Sequence, residues 1–313
     1  MAVRGKKGAQ RDPSYRSLKA DYYPVQRQIQ LSNTASTSNS VCDVGKMLSV
    51  VNHRLYRQGK TYQVKIDMDN RPDAAVGPAQ YEIYVLADTW FHQKAWQLAR
   101  ATYLTATAGE RASMSASKIA RWEDFRVSAG VSSANDMVPA TYSTALTLGN
   151  NTSGEFVTSQ IVLADGTTTK TFTWGTPGAS QFGILTEYNK SGDSAKTPTD
   201  DANTGAGDQA YSGAEDGISE TQMDNLQNAG NEPPYNRTDF TSNVWVKVAT
   251  LDNSAGVNPG ASAGHSRMST GFFNAPCGLI AIKSSIAHNI AGELSLTVKA
   301  GDYKGVAAMN MGA

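Results

Sequence analysis

The sequence predicts an all-β fold, and three observations favour it. Of the 313 residues, 18% are charged, 40% are hydrophobic and 28 are glycines, a mixture typical of strands joined by polar turns. Several stretches alternate apolar and polar residues with the period of two that marks a half-buried strand. No internal repeat of about 20 to 50 residues is present, which argues against a propeller or a solenoid.

The clearest strand is Tyr62 to Met68, where Tyr62, Val64, Ile66 and Met68 occupy one face and polar residues the other. Asp165-Gly166 is a turn dipeptide suited to a tight hairpin. About nine or ten strands are expected in all, from eleven candidate segments. The candidate segments are Val25 to Leu31, Val41 to Val51, Tyr62 to Met68, Tyr81 to Ala87, Thr141 to Leu148, Phe156 to Leu163, Thr167 to Trp174, Gly183 to Tyr188, Asn243 to Leu251, Gly278 to Lys283 and Leu294 to Lys299.

The hydrophobic period becomes helical between Thr89 and Val127. Asp88 or Thr89 is suited to cap the first helix, and Gly109 separates it from a second. We therefore expect two helices inserted into a β framework. Their apolar stripes are Phe91, Ala95, Leu98 and Ala99 in the first helix, and Ile119, Trp122 and Phe125 in the second.

The zero net charge conceals a separation of charge along the chain. Residues 1–27 carry seven Lys or Arg against two Asp, and residues 193–239 carry ten acids against two bases. We expect residues 1–24 to form a basic arm and residues 25–313 a single sandwich domain of the jelly-roll type. That domain would contain the helical insertion 89–127 and a long acidic surface insertion at 189–240.

No spacing of residues indicates catalysis. The chain lacks the P-loop pattern, and Met268 stands where the Gly264-His265-Ser266 stretch would need the second glycine of a nucleophile elbow. The four histidines are isolated, so no catalytic residue, metal ligand or cofactor is expected. Acidic pairs such as Asp200-Asp201 could hold calcium, but a solvated loop is the simpler interpretation.

Cys42 and Cys277 match no metal spacing and are expected to be free buried thiols. The first 30 residues contain no apolar stretch of the secretory type, and no apolar run is long enough to cross a membrane. We therefore expect synthesis in the cytosol or the nucleus, without a membrane partner.

The basic arm indicates nucleic acid as a partner, because Lys and Arg gain affinity by releasing condensed counterions without reading sequence. Tyr15, Tyr22 and Tyr23 lie among these charges and could stack on unpaired bases. A solvated tail or a nuclear-import signal is the alternative. The candidate nucleic-acid-binding residues are Arg4, Lys6, Lys7, Arg11, Arg16, Lys19, Arg54 and Arg57.

Three segments also resemble known proteins: VNHRLYRQG (51–59), ARWEDFRV (120–127) and AGDYKGV (300–306). They are similar to segments in capsid proteins of small circular single-stranded DNA viruses that encode a replication protein, the CRESS group, including its smacovirus-like branch. The resemblance implies an all-β viral jelly roll that assembles into an icosahedral shell, with a basic N-terminal segment facing the genome. Here the arm is only weakly basic, which departs from that pattern.

Together these features predict a structural coat protein, not an enzyme. Its expected partners are copies of itself, 60 or a multiple, and a single-stranded genome. Its expected location is the virion, with assembly in the host nucleus or cytoplasm. Two alternatives remain: a coat protein of an RNA virus with the same fold, and a carbohydrate-binding or adhesin-like sandwich that uses the aromatic residues Trp174, Tyr188, Tyr211 and Tyr235.

Overall fold

The computed structural model describes most of the chain between residues 24 and 311 and is predominantly β. The described residues are 24–33, 37–70, 80–114, 122–131, 134–142, 144–145, 148–150, 156–163, 167–192, 244–252, 266–288 and 294–311. The predicted basic arm, apart from residue 24, and residues 193–240 of the predicted acidic insertion lie outside them.

The strands of the described residues are short and numerous. They are β1 (Gln28–Asn33), β2 (Thr37–Asp43), β3 (Lys60–Asn70), β4 (Gln80–Leu86), β5 (Asn135–Tyr142), β6 (Leu148–Asn150), β7 (Gln160–Val162), β8 (Thr169–Thr173), β9 (Gln181–Gly183), β10 (Trp245–Asp252), β11 (Ser266–Ser269), β12 (Phe273–Ala275), β13 (Leu279–His288), β14 (Leu294–Val298) and β15 (Ala308–Asn310). The helices are α1 (Val44–Asn52), α2 (Trp90–Ala106), α3 (Ala108–Ser113) and α4 (Ile184–Gly192).

Twelve of these strands form one curled, mixed sheet. Its order is β10, β4, β13, β2, β5, β1, β14, β3 and β11, while β12 and β15 also pair with β3, and β6 pairs with β5. Neighbours along this path are antiparallel except for β2 and β5. A second, smaller sheet contains β7, β8 and β9. The all-β prediction is confirmed.

The core of the main sheet follows the predicted alternation along β3. Tyr62, Val64, Ile66 and Met68 are fully buried, and β14 pairs with β3 through Leu296 opposite Ile66. Burying apolar area at roughly 25 cal/mol per Å² gives this face most of its stabilising effect.

A second cluster of buried residues lies between α2 and the small sheet. Trp96 and Phe172 each contact the ring of Phe125, with centroids 5.8 and 5.1 Å apart respectively. Trp174, also in this cluster, is buried. Both cysteines are buried free thiols, as expected.

The first predicted helix is confirmed, with the Thr89 hydroxyl accepting a hydrogen bond from the backbone of His92. The second is wrong in position, because α3 ends at Ser113 and residues 123–127 have no regular structure. Phe125 is buried by ring contacts with its neighbours, not by a helix stripe. Trp122, on the same predicted stripe, is 61% exposed, so the helical period here does not mark a buried helix face.

Two other predicted strands are partly helical. The strand predicted to reach Val51 ends at Asp43, where the carboxylate caps α1 by accepting a hydrogen bond from Lys46 N–H at 2.9 Å. The strand predicted at 183–188 ends at Gly183, and α4 follows it. The predicted hairpin is confirmed by antiparallel pairing of β7 with β8, although its Asp165-Gly166 turn lies outside the described residues.

Candidate nucleic-acid interface

Three segments that are distant in the chain meet at one surface. They are residues 51–59, 122–127 and 300–306. The hydroxyl of Tyr56 donates a hydrogen bond to the carbonyl oxygen of Lys304 at 3.0 Å, across 248 positions of sequence. The backbone N–H of Gln58 donates to a carboxylate oxygen of Asp124 at 2.8 Å. The three segments thus form a single structural unit.

A tight turn presents Lys304 to this surface. Lys304 and Gly305 both have positive φ angles, 53° and 89°, as in the type I′ turns that connect hairpin strands. Reciprocal backbone hydrogen bonds of 3.0 Å between Tyr303 and Val306 close the turn. Arg27 donates a hydrogen bond to the carbonyl oxygen of Gly305 at 3.2 Å, which brings a further cation to this turn.

Four basic residues form what we term the cationic cluster: Arg54, Arg57, Lys60 and Lys304. Arg54 and Arg57 are exposed, with 53% of the Arg57 side chain accessible to solvent, whereas Lys60 and Lys304 are half-buried. A carboxylate oxygen of Asp124 lies 3.8 Å from the Arg57 guanidinium, but that carboxylate is buried. The solvent-facing side of the cluster is therefore positive.

The cations of the cluster oppose one another. Partial burial lowers the pKa of Lys304, and the charges of Arg57, Arg54 and Lys60 lower it further. Burial followed by the charge of Arg57 likewise lowers the pKa of Lys60. A bound anion would relieve this repulsion, since opposite charge nearby favours the protonated amine.

Aromatic rings and carbonyl oxygens hold the two lysines in place. The Lys60 ammonium lies 4.2 Å from the ring centroid of Tyr303 and donates to the side-chain oxygen of Asn310 at 2.5 Å. The Lys304 ammonium donates to the carbonyl oxygen of Leu55 at 2.5 Å. Cation–π contacts of this kind stabilise a charge without neutralising it.

A buried polar network anchors the loop that carries Arg57. Asp43 forms an ion pair with Arg126 and accepts a hydrogen bond from the Gln58 amide at 3.2 Å. The same Gln58 amide exchanges hydrogen bonds with the backbone of Val127. Burial raises the pKa of Asp124 despite its bond from Gln58 N–H and its nearby arginines. These bonds join Asp43, Gln58 and the segment 124–127, so the loop geometry is strongly specified.

Gly59 allows α2 to approach this loop closely. A Cβ atom at Gly59 would lie 2.4 Å from a ring carbon of Trp96, closer than van der Waals contact permits. The ring of Trp96 therefore packs directly on the backbone of Gly59, and a side chain at position 59 would displace the ring.

A cleft of about 1200 Å³ adjoins the cationic cluster, with Arg54 on its wall. It also contains Trp122, Phe156 and Val157. Trp122 and Val157 are 61% and 59% exposed, an unusual degree of exposure for large apolar side chains.

Of the predicted binding residues, the structure brings Arg54 and Arg57 together. The arm residues Arg4, Lys6, Lys7, Arg11, Arg16 and Lys19 lie outside the described part of the chain. Lys304 was missed by sequence reasoning. Gly305 is a residue that favours a turn, but nothing local places that turn next to Arg57.

Within the described residues, no helix combines the length and apolar character needed to cross a membrane. The same residues contain no group of three or more His, Cys, Asp or Glu side chains placed to hold a metal ion.

Comparison of the chain with family models, curated proteins and solved structures finds no match in any of the three.

Proposed function

We propose that this chain is the coat protein of a small non-enveloped virus, assembling into an icosahedral shell around a single-stranded genome. The observation that carries the proposal is the meeting of the three capsid-like segments in one cationic surface. The resemblance favours the CRESS group of DNA viruses.

The order of strands supports a jelly-roll origin for the sheet. In a jelly roll of eight strands, the first pairs with the eighth, the eighth with the third, and the third with the sixth. If β2, β3 and β4 are the first three and β10, β11 and β13 the last three, the path β2, β13, β4, β10 has this order. The antiparallel pairing of β3 with β11 matches second with seventh.

The sheet also departs from a jelly roll at a defined place. Strands β5 and β1 lie between the two groups and join them into a continuous sheet, where a jelly roll keeps two separate sheets. Strand β14 pairs with the edge of β3 that faces away from β11. The proposal is therefore a modified jelly roll, with extra strands at the junction.

The cationic cluster would contact the phosphates of the genome. Each phosphate neutralised by Arg or Lys releases counterions, so binding needs no base sequence and weakens steeply with salt. The cluster adds ordered contacts to those proposed for the arm. Arg54 and Arg57 are exposed to a strand lying on the surface, and the half-buried Lys60 and Lys304 lie beside them.

Expression of the full chain alone tests the assembly proposal. Uniform shells in electron micrographs, with an absorbance ratio that indicates bound nucleic acid, are the expected result. A clean monomer at high concentration would overturn the proposal. Digestion of the extracted nucleic acid with DNase or RNase then separates a DNA coat protein from an RNA coat protein.

The contribution of the cluster is tested with Arg54→Ala combined with Arg57→Ala. Two lost phosphate contacts should reduce the slope of log affinity against log salt for single-stranded DNA by about 1.4. The matched control is Lys94→Ala with Arg100→Ala, two exposed cations on α2, which should leave the slope unchanged. Equal slopes in both variants would exclude the cluster as a binding surface.

The carbohydrate-binding alternative is weakened by the positions of its aromatic residues. Trp174 is 1% exposed, and half-buried Tyr188 packs on Phe91 with ring centroids 5.0 Å apart. Sugar stacking needs an open ring face, which buried Trp174 does not offer. Tyr211 and Tyr235 lie outside the described residues.

A further inference from the structure

The cleft beside the cationic cluster has an apolar lining that the fold alone does not require. Trp122, Val157 and Val162 line it with exposed fractions of 61%, 59% and 57%. Phe156 also lines it and lies under the Arg126 guanidinium, whose central carbon is 4.8 Å from the ring centroid. Large exposed apolar side chains gathered in a concavity indicate a ligand site.

The polar groups of the cleft suit a neutral ligand with both donors and acceptors. Three acids, Glu110, Glu123 and Asp124, are among the residues that line the cleft with Arg54 and Arg126. Arg111 pairs with Glu123, and the buried Asp124 accepts from Gln58 N–H and lies beside Arg126. A lining that contains acids favours a neutral ligand over a free anion, and the ring N–H of a nucleobase can donate to a carboxylate.

Arg126 supplies a buried donor at the same place. Its side chain is only 9% exposed and forms an ion pair with Asp43 through Nη2. Among the described residues, its Nη1 has no hydrogen-bond acceptor, and the nearest Asp124 oxygen lies 3.8 Å away. A buried guanidinium nitrogen without an acceptor costs free energy, which a carbonyl oxygen of a ligand would recover.

We propose that this cleft receives one unpaired base of a nucleic-acid strand whose phosphates lie on the cationic cluster. This inference rests on the proposed nucleic-acid function. Arg54 belongs to both the cluster and the cleft wall, so a strand following the charges passes the opening. Trp122 provides the stacking surface. Bases of a duplex are already paired and stacked, and extruding one costs a few kcal/mol, so the cleft selects single strands.

The test compares a ten-nucleotide oligothymidine with an abasic oligonucleotide of equal length and charge, measured by fluorescence anisotropy with the full chain. Stacking of one base should make the thymidine strand bind about tenfold more tightly. Trp122→Ala should abolish this preference and leave the affinity for the abasic strand unchanged. Circular dichroism and the urea midpoint of the variant check separately that it is folded.

Trp90→Ala is the matched control, because Trp90 is likewise 61% exposed but lies at the start of α2 and is not among the residues that line the cleft. It should keep the tenfold preference, and Trp122→Phe should keep most of it. Equal binding of both oligonucleotides by the unmodified chain would overturn the base cleft alone. Preference retained in Trp122→Ala would overturn it too. Failure of both strands to bind would overturn the nucleic-acid function itself.

Discussion

Removal of the Asp43 carboxylate should cost about 4 kcal/mol of folding free energy. Asp43 and Arg126 form a buried ion pair with side-chain exposures of 11% and 9%. Deleting one partner of such a pair leaves an uncompensated charge and costs about 3 to 5 kcal/mol. The value belongs at the low end of that range, because Asp124 remains 3.8 Å from the guanidinium. Loss of the α1 cap adds about 1 kcal/mol.

The assay is urea unfolding of Asp43→Ala at pH 7, followed by circular dichroism. Since domains are stable by about 5 to 15 kcal/mol, the expected loss is a large fraction of the total. Asp43→Asn retains a capping oxygen but not the charge, so it should recover about 1 kcal/mol. The difference between the two variants measures the cap separately from the ion pair.

Asp136→Ala is the control. The Asp136 carboxylate forms an ion pair with Lys46 at 2.9 Å, but its side chain is 71% exposed. Removal of this exposed pair should cost less than about 1 kcal/mol. A loss below about 1.5 kcal/mol for Asp43→Ala, or equal losses at the two positions, would refute the argument that burial of the pair determines its contribution.

Two further predictions concern packing and pH. Gly59→Ala should destabilise the chain by about 1 to 3 kcal/mol through overpacking against Trp96, whereas Gly109→Ala, in helix α3 with open space around it, should stabilise by about 0.5 to 1 kcal/mol. Shifts of the urea midpoint in the same direction for the two variants would contradict this prediction. Burial lowers the pKa of His92 to about 4, so the unfolded chain binds the proton first and stability falls between pH 6.5 and 4. Measured by urea titration, the free energy of unfolding of His92→Gln should fall by up to about 3 kcal/mol less over this pH interval than that of the unmodified chain. Parallel plots of unfolding free energy against pH for the two chains would contradict the prediction.

Local patterns predicted those parts of the fold in which neighbours in sequence share one environment. The alternation along β3 and the cap at Thr89 needed only the periods of strand and helix. Prediction failed where a strand passes directly into a helix, as at Asp43 and Gly183, because apolar residues continue across both junctions. The change of period is then visible only over a few residues.

Sequence alone determined the chemical character of this protein: an all-β chain with separated charge and with basic residues at Arg54 and Arg57. Only tertiary structure decided that Lys304 and Asp124 join Arg57, and that an aromatic cleft opens beside them. A contact between residues 248 positions apart forms only when the strands of the main sheet have paired, so local sequence preferences do not predict it. The basic residues are visible in the sequence, but the fold brings those of the cationic cluster together at one surface.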